Sequence, residues 1–141
     1  VLPMLKALIE SGFGNHMNLC CSEKILYAAN WAYDLKLSPD ALKMSSGFGG
    51  GMGIGFVCGG ITGGIMALSA IYVKRNNHES GRIKELEKEY IEKFTAALGS
   101  AHCKDLKVAH PPVAPKRICN LDFILITAAG ILDEIVEREG L

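Results

Sequence analysis

Apolar residues recur at helical spacing along most of the chain, and no stretch alternates convincingly as a strand. Residues 2–11 fit a short first helix, and a second follows a cap at Asn18 or Ser22. Ser38 and Pro39 are typical of another helix start, while Ser80 and Gly99 bound a long amphipathic helix. The apolar stripes of the second, long and final helices contain Ile25, Leu26, Ala29 and Ala32; Ile83, Leu86, Tyr90, Phe94 and Ala97; and Ile124, Leu125, Ala128, Ile131, Leu132, Ile135 and Val136. The pattern predicts an all-α bundle of about five helices.

Residues 44–73 carry no charge, and this segment is long enough to suggest a membrane span. Gly55, Gly59 and Gly63 also have the spacing of a membrane packing motif. Residues 47–55 are too rich in glycine for a stable helix, because each glycine costs about 1 kcal/mol relative to alanine. Only residues 56–73 read as continuous helix, and the rest of the chain is amphipathic. We therefore expect a buried central helix and no membrane span.

Three prolines make residues 108–115 a predicted loop, after which Asn120 or Asp122 would start the final helix. The glycine pattern at residues 49–53 follows no strand and lacks the lysine of a phosphate-binding loop. Ser45 and Ser46 have no committed histidine and aspartate partners, so no hydrolase triad is indicated. We assign no catalytic residue from the sequence.

The 141 residues suit one domain, residues 1–141, without disulfide support. A formal net charge of zero gives no reason to expect nucleic acid as a partner. Residues 1–10 lack the basic and apolar pattern of a secretory signal, so we expect a cytoplasmic protein. In that compartment five cysteines are more often metal-binding or redox-active than structural disulfides.

The cysteines occupy separate regions of the chain, apart from the neighbours Cys20 and Cys21. Cys21, Cys58 and Cys119 lie at predicted helix starts, where backbone N–H groups stabilise a thiolate. Cys103 falls in a predicted loop after Gly99, next to His102, which we keep as a possible ligand. No C-x-x-C pair is present, so spacing alone also fits buried, inert thiols. We expect Cys20 to pack or remain spare.

Four segments of the chain carry a family resemblance: CSEKIL at 21–26, SPDALK at 38–43, SGFGGGMG at 46–53 and CGGITGGIMAL at 58–68. They resemble the C-GCAxxG-C-C family of redox-active proteins, and related sequence forms part of the split-Soret cytochromes c. The resemblance covers nearly the whole chain, from about Leu2 to Glu139. This chain departs from the family in having Gly60 where alanine is usual and in its extra Cys20, and it lacks a haem-attachment motif.

The resemblance implies an anaerobe-type redox protein that holds an iron–sulfur cluster or cycles thiols. Its motif maps the four thiolate ligands onto Cys21, Cys58, Cys103 and Cys119. Backbone N–H groups beside Cys58, at Gly59 and Gly60, would approach cluster sulfurs. The apolar side chains of Phe48, Met52 and Phe56 would exclude water. Electrons would pass to a redox partner protein.

Two alternatives remain open at the level of sequence. A metal-free protein could form a reversible disulfide between Cys58 and either Cys21 or Cys119. A helical dimerisation module could instead use the glycines of the central segment at a close helix crossing. A homodimer is expected in either the cluster or the dimerisation reading.

Overall fold

The computed structural model describes residues 4–111 and 121–141, and helices dominate both ranges. The all-α prediction is confirmed, with seven α-helices in the described residues instead of about five. One isolated antiparallel bridge joins Val57 to His102. The helices are α1 (Leu5–Glu10), α2 (Cys21–Ala32), α3 (Pro39–Lys43), α4 (Gly59–Tyr72), α5 (Ile83–Leu98), α6 (Cys103–Ala109) and α7 (Leu121–Glu139).

Helix α4 is the centre of the bundle, packed against α2, α5 and α7. Its glycines allow the close approach of two neighbours. A β-carbon on Gly63 would overlap Ile25 of α2 and lie 2.5 Å from the Ser22 carbonyl oxygen. One on Gly64 would lie 2.5 Å from the ring of Tyr90 in α5. These glycines therefore let the backbone of α2 and the Tyr90 side chain of α5 pack directly on α4.

This close crossing joins helices of the same chain, and Gly55 lies before α4 and takes no part in it. The spacing of Gly59 and Gly63 is thus explained without a second copy, and the homodimer stays a prediction. Within the described ranges, none of the helices combines the length and the apolarity that crossing a membrane requires. The central helix is buried, as the sequence predicts.

Residues 47–55 form irregular turns, in agreement with the expectation that they do not hold a regular helix. The segment contains a run of left-handed backbone conformations. Met52 is the one non-glycine among them, with φ 59° and ψ 35°. The N–H of Phe56 donates to the Gly51 carbonyl at 3.0 Å and closes the last turn.

Several helix ends match the sequence signals. Ser38 Oγ accepts a hydrogen bond from Ala41 N–H at 3.1 Å, and Gly99 ends α5 with a φ of 91°. The cap predicted at Asn18 or Ser22 is wrong, because Cys20 precedes α2 and its N–H donates to the Glu23 carboxylate at 3.0 Å.

Two other boundaries also differ from the expectation. Helix α5 begins at Ile83, whose N–H donates to Ser80 Oγ at 3.2 Å, so the serine lies two residues before the cap position, which Arg82 occupies. Val108 and Ala109 belong to α6 and are not loop. The rest of the predicted proline loop from residue 112, and Asn120, lie outside the described residues.

Helix α1 is attached to the bundle through a buried carboxylate of α7. Asp133 accepts hydrogen bonds from the N–H groups of Leu5 and Lys6 at 2.8 and 2.9 Å. The Tyr33 hydroxyl donates to the same carboxylate at 2.7 Å. Asp133 therefore supplies from another helix the acceptors that the first turn of α1 lacks.

Candidate functional site

Three cysteines from distant parts of the chain lie at helix starts. Cys21 is the first residue of α2, Cys58 directly precedes α4, and Cys103 is the first residue of α6. The N–H of Cys58 donates to Ala101 O at 2.8 Å, and the N–H of Cys103 donates to Phe56 O at 2.5 Å. These two bonds fasten the segments around Cys58 and Cys103 side by side.

Cys21 and Cys58 are in hydrogen-bond contact through their sulfurs. Cys58 keeps its proton and donates it, which is the largest cause lowering the pKa of Cys21 to about 6 against the opposing effect of burial. Backbone N–H groups of Gly50, Ser22 and Gly59 also donate to the Cys21 sulfur. Contact with Cys21, together with burial, raises the pKa of Cys58. At neutral pH the pair therefore holds one thiolate and one thiol.

Cys103 is the third described thiol of the predicted site, and it is 7% exposed. The pKa of Cys103 is raised, first by burial and also by the charge of Cys21, while the nearby Lys107 opposes this increase. Cys103 also acts electrostatically on Cys58. The sequence placed Cys103 in a loop; that was wrong, because α6 begins at this residue. All three described cysteines of the predicted site therefore lie at helix starts.

Glycines line the thiols where a side chain would not fit. A β-carbon on Gly59 would overlap Cys21 Sγ and lie 2.8 Å from the backbone nitrogen of Ser22. One on Gly51, which has a φ of 63°, would lie 2.7 Å from Cys103 Cβ. Gly60 differs, since its nearest neighbours would be 3.4 Å away or more, and its N–H donates to Cys58 Sγ at 3.3 Å.

Cys20 packs outside this group of thiols. Its sulfur lies 3.2 Å from Ser22 Oγ, and a β-carbon on Gly49 would lie 2.6 Å from it. Ser22 Oγ in turn donates to the Ser45 carbonyl at 2.7 Å in a buried contact. The two side chains therefore hold the start of the glycine segment, which delivers the Gly50 N–H to Cys21.

The expectation that Phe48, Met52 and Phe56 exclude water from the thiols is wrong for two of the three. Met52 is 37% exposed and Phe56 is 50% exposed, because the left-handed turns carry both side chains outward. Phe48 is half-buried.

The remaining predicted ligands divide into two cases. Cys119 lies outside the described residues. His102 is stacked on Phe56, with ring centroids 5.7 Å apart, and its Nδ1 is 3.8 Å from Asp105. In the part of the chain that the structure describes, no three histidine, cysteine or acidic side chains are arranged to share a single metal ion.

The contact between Cys21 and Cys58 gives a prediction for the reduced, metal-free protein. Thiolate absorbance at 240 nm should show a first ionisation near pH 6, with Cys21 as thiol below that pH and thiolate above it. Cys58→Ala should move this ionisation upward, since the main hydrogen-bond donor is gone. Cys20→Ser is the control and should leave it in place. An unchanged first ionisation in Cys58→Ala would contradict the contact.

A comparison with protein families is in agreement with this geometry. The chain matches the family described as "Putative redox-active protein (C_GCAxxG_C_C)" over residues 19–135, which include all the cysteines. No curated protein and no solved structure matches the chain. The match covers most of the 141 residues. The chain therefore belongs to the C_GCAxxG_C_C family of redox-active proteins.

Proposed function

We propose that this protein transfers electrons through an iron–sulfur cluster bound by the thiolates of Cys21, Cys58, Cys103 and Cys119. The observation that carries the proposal is the position of three thiols at three helix starts, with Cys21 in contact with Cys58 and Cys103 acting electrostatically on Cys58. Helix starts favour anionic sulfur, which is the form that bonds iron, and the pKa of Cys21 is already lowered to about 6.

The ligand arrangement of a cluster differs from that of a single ion. A single ion needs its ligands around one point, and the described side chains offer no such group of three. A cluster spreads its thiolates over several irons, so its ligands lie further apart. The fourth ligand would come from Cys119. Asp122, which follows Cys119 by three residues in the sequence, pairs with Lys24 at 3.2 Å. Lys24 lies one helical turn after Cys21 in α2.

The chain's own groups would tune and enclose the centre. Gly60 N–H donates to Cys58 Sγ, and three backbone N–H groups donate to Cys21. Donors to sulfur stabilise the more negative, reduced state and so raise the reduction potential. When bound, the cluster supplies a site that gains and loses an electron. Gly59 leaves room for the Cys21 sulfur, and Gly51 leaves room for the β-carbon of Cys103.

Chemical analysis of anaerobically reconstituted protein tests this proposal. We expect bound iron and acid-labile sulfide, together with a visible spectrum that dithionite bleaches reversibly. If iron and sulfide are both missing after reconstitution, the cluster proposal is wrong.

The contact between Cys21 and Cys58 favours a second candidate, a reversible dithiol. Thiolate at Cys21 beside a thiol at Cys58 is the arrangement from which a disulfide forms. The Cys21 thiolate would attack a partner disulfide and release one partner sulfur as thiolate; Cys58 would then lose its proton, attack Cys21 and release the second. The pair gives up two electrons and one proton, and the partner takes one further proton from solvent to leave as two thiols. Thiol counts before and after oxidation of the metal-free protein should then differ by two, and equal counts would exclude this candidate.

A further inference from the structure

We infer that the surface formed by Met52, Ile54, Phe56 and Lys104 is the docking face for an acidic electron-carrier protein. The inference rests on the proposed electron-transfer function and adds the place and the chemistry of the partner. The surface is called the apolar face below.

The apolar face exposes large hydrophobic side chains next to one another in the chain. Ile54 is 78% exposed, Phe56 is 50% exposed and Met52 is 37% exposed. A small protein gains nothing for folding from such exposure, and adjacent exposed apolar side chains are typical of contact surfaces.

The backbone holds these side chains outward in a defined shape. Met52 has left-handed dihedral angles, which are unfavourable for a residue with a β-carbon. The turn is fixed by the bond from Phe56 N–H to Gly51 O and by the packing of Gly55 on Lys104, whose Cβ is 3.1 Å from the position of an added β-carbon. Unfavourable backbone retained under an exposed apolar segment is a mark of a functional surface.

The apolar face is also directly connected to the proposed centre. Phe56 O accepts the N–H of Cys103, and Gly51 packs on Cys103 Cβ. A protein that covers Phe56 therefore lies close to Cys103, one of the proposed cluster ligands. Electron transfer requires such closeness.

The charge at the edge of the apolar face selects the partner. Lys104 is exposed and, among the described residues, has no ion pair. The neighbouring carboxylate, Asp105, accepts from Ser100 Oγ at 2.9 Å and lies near His102. Lys107 adds a second cation beside Cys103. An apolar centre with a basic edge complements a carrier that has carboxylates around an apolar contact.

Stopped-flow electron exchange with an acidic plant-type [2Fe–2S] ferredoxin tests the inference on the reconstituted full chain. The wild type should exchange electrons in the downhill direction at a rate that falls as salt rises. Lys104→Glu should lower the rate about tenfold at low salt and remove most of the salt dependence. Ile54→Ser should lower the rate at every salt concentration. Lys88→Glu makes the same charge change at an exposed lysine of α5 and is the control.

Two readouts separate this inference from the function on which it rests. Dithionite should reduce every variant at the wild-type rate, because it needs no docking face. If no variant holds iron or responds to dithionite, the cluster proposal fails first. Normal dithionite reduction with equal ferredoxin rates in wild type, Lys104→Glu and Ile54→Ser would overturn the docking face. So would a wild-type dimer that Ile54→Ser makes monomeric without slowing exchange, since a second copy would then cover the face.

Discussion

Gly59→Ala is expected to destroy the thiol centre while leaving most of the helical fold in place. The new β-carbon would overlap Cys21 Sγ and press on the backbone nitrogen of Ser22 at 2.8 Å. Overpacking of this kind costs about 1–3 kcal/mol, which cancels the gain of about 1 kcal/mol from replacing glycine by alanine in a helix. Reconstituted Gly59→Ala should bind less than a tenth of the wild-type iron and sulfide, by an estimate of about 1.4 kcal/mol per tenfold loss.

Gly60→Ala is the matched control, one residue further along the same helix. Its β-carbon would meet Leu125 and Phe94 at 3.4 Å and Cys58 Sγ at 3.6 Å, which are ordinary contacts. Iron content should remain near that of the wild type, and the free energy of unfolding should be unchanged or slightly larger. Equal iron binding by both variants would show that Gly59 does not confine Cys21.

Asp133→Ala is expected to have the largest effect on stability, lowering the free energy of unfolding by about 3 kcal/mol. The carboxylate is 5% exposed and accepts from two backbone N–H groups of α1 and from the Tyr33 hydroxyl. Its removal would leave two buried donors and one partly buried donor without acceptors. Chemical denaturation followed by circular dichroism measures the change.

Two variants make this result specific to the buried carboxylate. Glu134→Ala, at the next position of α7, removes an acidic side chain that is 59% exposed and pairs with Lys93. It should cost less than about 1 kcal/mol. Tyr33→Phe removes one of the three donors together with the bond and should fall between the two. A loss in Glu134→Ala as large as that in Asp133→Ala would point to a general charge effect on α7.

Much of the fold is contained in local sequence signals. Ser38 caps the start of α3 and Gly99 ends α5, as their chemistry predicts, since capping and left-handed conformations depend on the residue itself. The change from glycine-rich to apolar sequence at Cys58 correctly marks the start of the central helix. These features need no knowledge of the tertiary structure.

The features that the sequence analysis missed depend on distant contacts. Helix α6 has seven residues, and its start is set by bonds to the segment around Phe56. Asp133 looks like a solvated charge, although it lies four residues after Ala129 and three before Val136, both buried. That position within the apolar stripe was an available signal. The sequence left Cys58 with either Cys21 or Cys119 as its partner, because α2 and α4 meet only in the folded chain.

Single cysteine variants test the central claim, that Cys21, Cys58 and Cys103 form one redox centre from which Cys20 is excluded. The measurement is iron and acid-labile sulfide after anaerobic reconstitution. Cys21→Ser, Cys58→Ser and Cys103→Ser should each lose most of both. Cys20→Ser should keep the wild-type amounts, since serine is a good residue before a helix. Retention of the full cluster by Cys103→Ser, with its loss from Cys20→Ser, would contradict the account.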